Sequence, residues 1–173
     1  MHTHLFAATM FVNEDSGLGL ENPLIHHIFP YLVRAPCPGN ALLSAERYFD
    51  CCLQGGNPGW EVEKYKAIPI YGRYLKEQYR HRLELASAGG IFLSMYVVVM
   101  LFRLGTEIKI WAVPIAAEKD EHAENACIQR LERKYGACVF SSAAVPLRRE
   151  LYESDLHDKT VRGVNNLWLP CAR

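Results

Sequence analysis

Apolar residues recur along this chain in two rhythms, and each rhythm predicts a different element. Residues 4–12 form a short apolar run ended by the turn formers Asn13-Glu14-Asp15-Ser16-Gly17, so they read as a first strand. Asn22-Pro23 has the form of an N-cap followed by proline at the first helical position, and predicts a short helix toward Phe29. Pro30, Pro36 and Pro38 then interrupt regular structure. Leu42, Ala45, Phe49, Cys52 and Leu53 share helical spacing after Asn40, which predicts a helix over 41–54 closed by Gly55-Gly56.

The second part of the chain is more regular. Trp60 and Val62 alternate against Glu61 and Glu63, predicting a strand over 60–68 that Pro69 ends. Tyr71, Leu75, Tyr79 and Leu83 lie four residues apart and predict a helix over 71–85. Residues 91–103 are rich in β-branched and aromatic side chains, which favours a strand. Ile108, Ile110 and Ala112 then alternate against Lys109 and Trp111, so Leu104-Gly105-Thr106 turns a hairpin. Residues 118–135 begin with Glu118, Asp120 and Glu121 and end with Arg130, Arg133 and Lys134, a placement that complements the helix dipole. Cys127, Ile128, Leu131 and Tyr135 supply the apolar face of that helix, and Gly136 ends it. A short buried strand over 137–141 follows. Pro146 is read as opening a helix to Tyr152 with Leu147 and Leu151 inward, and 161–169 as a last strand.

The order from Trp60 to Ser141 is thus strand, helix, strand, strand, helix, strand. It resembles the ferredoxin-like arrangement, two split strand–helix–strand units on one antiparallel sheet. The expected class is α+β, an antiparallel sheet with helices packed on one face. The expected organisation is one domain over 1–173. It comprises an N-terminal helical segment over 1–56, the ferredoxin-like core over 57–142, and a C-terminal helix and strand over 143–173. No internal repeat of about 20–50 residues is visible.

Composition narrows the function classes. Of 173 residues, 50% are hydrophobic and 22% charged, which excludes a disordered or fibrous chain. Lys+Arg and Asp+Glu each number 19, so no strong overall field announces duplex DNA or an anionic membrane as partner. The most apolar run, residues 91–102, is 12 residues long and falls short of the roughly 20 a membrane-spanning helix needs. No membrane span is expected. The N-terminus lacks the basic start of a signal peptide. Six cysteines in a chain of this size read as free, mostly buried thiols in a reducing cytoplasm.

Four sets of residues bear on chemistry. His2 and His4 share one side of a strand, and His26 and His27 precede Cys37, Cys51 and Cys52. No C-x-x-C or H-x-x-x-H spacing accompanies them, so no metal and no cofactor is expected. Cys138 or Ser141, with His157 and Asp158, supplies the residue types of a nucleophile, a base and an orienting acid, which makes an enzyme the first alternative. Arg73, Lys76 and Arg80 fall near one helix face, with Tyr74, His81 and Arg82 beside them and Glu77 opposing. That set suits phosphate contacts and base stacking, so nucleic acid is the second alternative partner. Trp168 stands between Leu167 and Leu169 as a packing anchor or an interface residue. The leading expectation is a small cytoplasmic binding protein whose partner is another protein, in the manner of an inhibitor or neutralising partner.

Overall fold

The structure, a computed structural model, describes residues 2–14, 25–52, 60–89 and 92–157. The elements run β1 (His4–Glu14), β2 (Ile25–Ala35), α1 (Pro38–Cys52), β3 (Trp60–Pro69), α2 (Gly72–Ser87), β4 (Ser94–Leu104), β5 (Glu107–Ala117), α3 (Asp120–Tyr135), β6 (Cys138–Pro146) and α4 (Arg149–His157). The class is α+β, and every strand pairing is antiparallel. The order expected from Trp60 onward, strand, helix, strand, strand, helix, strand, is present along the chain. Hydrogen bonding divides those strands between two three-stranded sheets, ordered β2-β1-β3 and β5-β4-β6. The expected last strand over 161–169 lies outside the described residues.

One local expectation is corrected. Residues from Ile25 form β2 rather than a helix running to Phe29. The cap-like Asn22-Pro23 signal is outweighed by pairing, because β2 lies in register along all of β1, from His4 opposite Ala35 to Glu14 opposite Ile25. Pro30 is tolerated because β2 is an edge strand in its sheet and needs ladder bonds on one side only.

Each central strand is covered on both faces, which explains why both read as unbroken apolar runs. Along β1, Leu5, Ala7 and Phe11 point to one side, and Phe6, Ala8, Met10 and Val12 to the other. Along β4, Met95, Val97, Val99 and Leu101 point inward, and Val98, Met100 and Phe102 outward. The inward sets meet in one core between the sheets. The outward set of β1 packs under Ala41, Ala45 and Phe49 of α1, and that of β4 under Ala123, Cys127 and Leu131 of α3. The layers are therefore α1, first sheet, second sheet, α3. Helices α2 and α4 close one end of the inner layer through Leu75 and Tyr152.

The molecule is a strand–strand–helix–strand–helix unit used twice, with matching register. In the first unit Phe6 faces Pro69, and in the second Tyr96 faces Pro146. The ladder slips between Phe11 and Val12 in one and between Leu101 and Phe102 in the other. Ile70 N–H donates to the Leu5 carbonyl at 2.9 Å, and Leu147 N–H to the Met95 carbonyl at 2.9 Å. The buried faces of α1 and α3 coincide position by position, as Ala41 with Ala123, Ala45 with Cys127, and Phe49 with Leu131.

The trailing helices are exchanged between the units. Gln78 of α2 accepts a hydrogen bond from the Ala116 N–H of β5 at 3.1 Å. The corresponding residue of α4, Asp155, pairs with Arg34 of β2 at 2.7 Å. Two details of the helices differ from expectation. The buried face of α2 runs through Tyr74, Leu75 and Gln78, while Leu83 is exposed. In α4 Leu151 packs against the inner core, as Leu147 does just before it, but the helix starts at Arg149 and Pro146 ends β6 instead of opening the helix. The second hairpin forms as expected, with Gly105 at φ +63 in the first of two turn positions, where glycine is favoured. Gly136, at φ +66, closes α3, its N–H donating to Glu132 and that of Ala137 to Leu131.

Burial raises the Tyr152 phenol above its ordinary 10.0, against the lowering effect of the Arg82 cation beside it. A group raised in the folded state stabilises fully below its unfolded pKa and loses that contribution as pH climbs through the folded value. Stability should therefore begin to fall above about pH 10. Tyr152→Phe should give a shallower alkaline limb in urea midpoints measured from pH 8 to 11.5. An unchanged slope would remove Tyr152 from the account.

Candidate functional site

The inner layer is closed by α2 and α4 at one end and open at the other. The open end holds a cavity of about 480 Å³, within the range of small-molecule sites. Its floor is Phe11 of β1 and Leu101 of β4, both buried, which are equivalent positions of the two units. Ile108, Ile110 and Trp111 of β5 form one wall, and Phe140 stands at the edge. Three cations complete the lining, Lys64 and Lys66 from β3 and Lys109 from β5.

Strand register explains how lysines reach an apolar cleft. Antiparallel partners share a face, and Lys64 lies opposite Phe11, Lys66 opposite Thr9 and Ile68 opposite Ala7. Lys64 and Lys66 therefore project to the inter-sheet side, in line with buried Ile68. The Lys64 ammonium sits 5.6 Å from the Phe11 ring centroid. Among the described residues no ion pair involves Lys64 or Lys66, whereas Lys109 lies 3.4 Å from Glu107.

The second unit shows the same place built shut. The counterparts of Lys64, Lys66 and Ile68 are Ser141, Ala143 and Val145, opposite Leu101, Val99 and Val97. There β6 packs along β2, while β3 and β5 touch sparingly. Small side chains line the packed seam of the duplicated fold, and long cationic ones line the open one.

The residues singled out in the sequence are distributed elsewhere. Cys138 is exposed and faces Arg103 at the hairpin end of β4, and Ser141 faces Leu101. His157 ends α4, two residues after Asp155, whose partner Arg34 lies opposite Leu5 at the other end of the sandwich. Strand β6 alone separates those ends by about 25 Å, so Cys138 and His157 are not brought together. Asp158 and Trp168 lie outside the described residues. On α2, Arg73 pairs with Glu77 at 3.6 Å and Arg80 with Glu84 at 3.8 Å, while Lys76 has a partner as well. Arg82 donates to the Leu93 carbonyl at 2.6 Å and lies over the Tyr79 and Phe92 rings.

His2 and His4 meet edge to face, their centroids 5.0 Å apart. Among the described residues no three His, Cys, Asp or Glu side chains gather as metal ligands. Cys37, Cys51, Cys127 and Cys138 are free thiols, and of these only Cys127 is buried, so the expectation of mostly buried cysteines is corrected. No helix among the described residues is long and apolar enough to cross a membrane.

Sequence reasoning passed over Lys64, Lys66 and Lys109. The available signal was parity, since Lys64 and Lys66 share the alternation of Ile68. Tyr65 and Ala67 are apolar as well, so either face of that strand could have been the buried one. No protein-family model, no curated protein and no solved structure matches this chain.

Proposed function

We propose that the chain is a binding protein whose site is the cleft between its two sheets, occupied by a small ligand with an apolar body. The observation that carries this reading is the lining of that cleft, a hydrocarbon and aromatic surface rimmed by ammonium groups. Among the described residues, no hydroxyl, thiol, imidazole or carboxylate side chain belongs to it. It offers grip without the acid–base pair that catalysis by Cys138, Ser141 and His157 would require. The paired arginines of α2 lend the nucleic-acid alternative little support. A protein partner, as an inhibitor would have, is the second reading, favoured by exposed Ile108 and Phe140 at the mouth of the same cleft. A reducing, cytoplasmic setting fits the exposed free thiols of Cys37, Cys51 and Cys138.

The test uses the neutral dye N-phenyl-1-naphthylamine, which brightens on entering an apolar site. The native chain should bind it saturably, with about one site. Ile110→Trp should fill the cleft and abolish binding while the far-ultraviolet circular dichroism stays native. Absence of dye binding, or binding that Ile110→Trp leaves intact, would overturn the reading.

A further inference from the structure

We infer that the ligand of this cleft is an amphipathic organic anion, its acidic head held by Lys64 and Lys66 and its apolar body laid against Ile108, Ile110 and Phe140. This rests on the cleft being a ligand site, and adds the chemistry of the ligand.

Three observations converge. First, Lys64 and Lys66 lie on the face of β3 that turns between the sheets, yet both are exposed, so their ammonium groups stand at the open rim of the cleft. A strand packed in a sandwich ordinarily keeps apolar residues on that face, as Ile68 does further along. Second, no carboxylate of the described residues pairs with either lysine. The nearby acid that does pair, Glu107, is engaged with Lys109. An anion at the rim of the cleft would therefore meet two ammonium groups that none of the described carboxylates pairs with, beside an apolar wall. Third, the duplicated unit is an internal control. The same positions of β6 carry Ser141 and Ala143, and that seam is packed. Closing the β3–β5 seam in the same way needed only small residues, so packing between the sheets does not account for its two lysines.

The apolar part of the site sets the rest of the ligand. A free inorganic anion would leave Ile108, Ile110 and Phe140 without cover, and a neutral hydrocarbon would leave the lysines without a counter-charge. One molecule bearing both parts satisfies both. The cavity of about 480 Å³ admits a fused aromatic acid or a medium-chain fatty acid.

The test compares 2-naphthoate with its neutral isostere 2-naphthamide by isothermal titration calorimetry at low ionic strength. The full chain should bind the carboxylate at least about tenfold more tightly. Lys64→Ser with Lys66→Ala, which copies the second unit, should remove that preference and leave 2-naphthamide within about twofold. Lys64→Arg with Lys66→Arg should keep the preference, because charge rather than lysine geometry is what counts. Added salt should narrow the gap between the two ligands. Equal binding of the two ligands overturns the anion while the cleft still stands as a site. A carboxylate preference that survives Ser and Ala replacement also overturns the assignment to these lysines. If neither ligand binds and the neutral dye does not either, the site itself is wrong.

Discussion

Phe102→Ala should lower the stability of this chain by about 4 kcal/mol, within the range for deleting a buried aromatic ring. Phe102 has no exposed surface. It lies between the second sheet and α3, meeting Trp111 edge to face at 4.8 Å between centroids. Removing the ring takes away its transfer free energy and opens a cavity that rigid neighbours on a central strand cannot fill. For a chain of this length the melting temperature should fall by about 8–16 °C. Phe92→Ala is the matched control, because Phe92 is 73% exposed, with its ring against the Arg82 guanidinium. That change should cost under about 1 kcal/mol. Thermal melts of the two variants decide the matter, and equal losses would mean that the outer core is not packed as described.

Asp155→Ala should cost about 2–3 kcal/mol, much more than a surface ion pair would. The Arg34 guanidinium donates to Asp155 at 2.7 Å, to the Leu151 carbonyl at 2.8 Å and to the Thr3 carbonyl at 2.7 Å, with 19% and 16% of the Arg34 and Asp155 side chains exposed. Truncating Asp155 leaves a largely buried cation with carbonyl partners but no counter-charge. Helix α4 has nine residues and cannot hold itself together alone. The loss should therefore concentrate there, as faster amide hydrogen exchange over α4 than over α3. Replacing both partners, Arg34→Met with Asp155→Leu, should recover part of the loss, since an apolar pair of similar size leaves no charge stranded. A double variant as unstable as the sum of the singles would mean that the two residues do not act as a pair.

Much of the secondary structure was legible, for reasons that differ between elements. Helix α3 announced itself through acids at its start, bases at its end and Gly136 beyond, all local signals that tertiary contacts reinforce. Strand β4 was legible because burial on both faces leaves an unbroken apolar run. Strand β2 was misread because proline and a cap-like dipeptide are local signals, while its pairing with β1 is not local. The division into two sheets was not legible either. Element order is compatible with one sheet, and the choice depends on β1 claiming β3. The duplication escaped notice because its units share burial more than identity, as Phe49 with Leu131 and Leu75 with Tyr152 do. The cleft was hidden for a related reason, since its lysines come from strands of opposite units whose contact only the fold creates.

The exchange of cover between the two units has a consequence for how the chain is made. Leu5, Ala7 and Phe11 are shielded by Met95, Val97 and Leu101, and α2 finds its seat on β5. On the ribosome the first sheet emerges with one greasy side bare and with a helix that has nowhere to dock. At about 5–20 residues per second, the second hairpin takes on the order of seconds to follow. Throughout that interval the nascent chain is a sticky intermediate. A pause in translation just after the codons for α2 would prolong it, so the yield of native protein should depend on how quickly the second hairpin is synthesised and on chaperones that shelter the first.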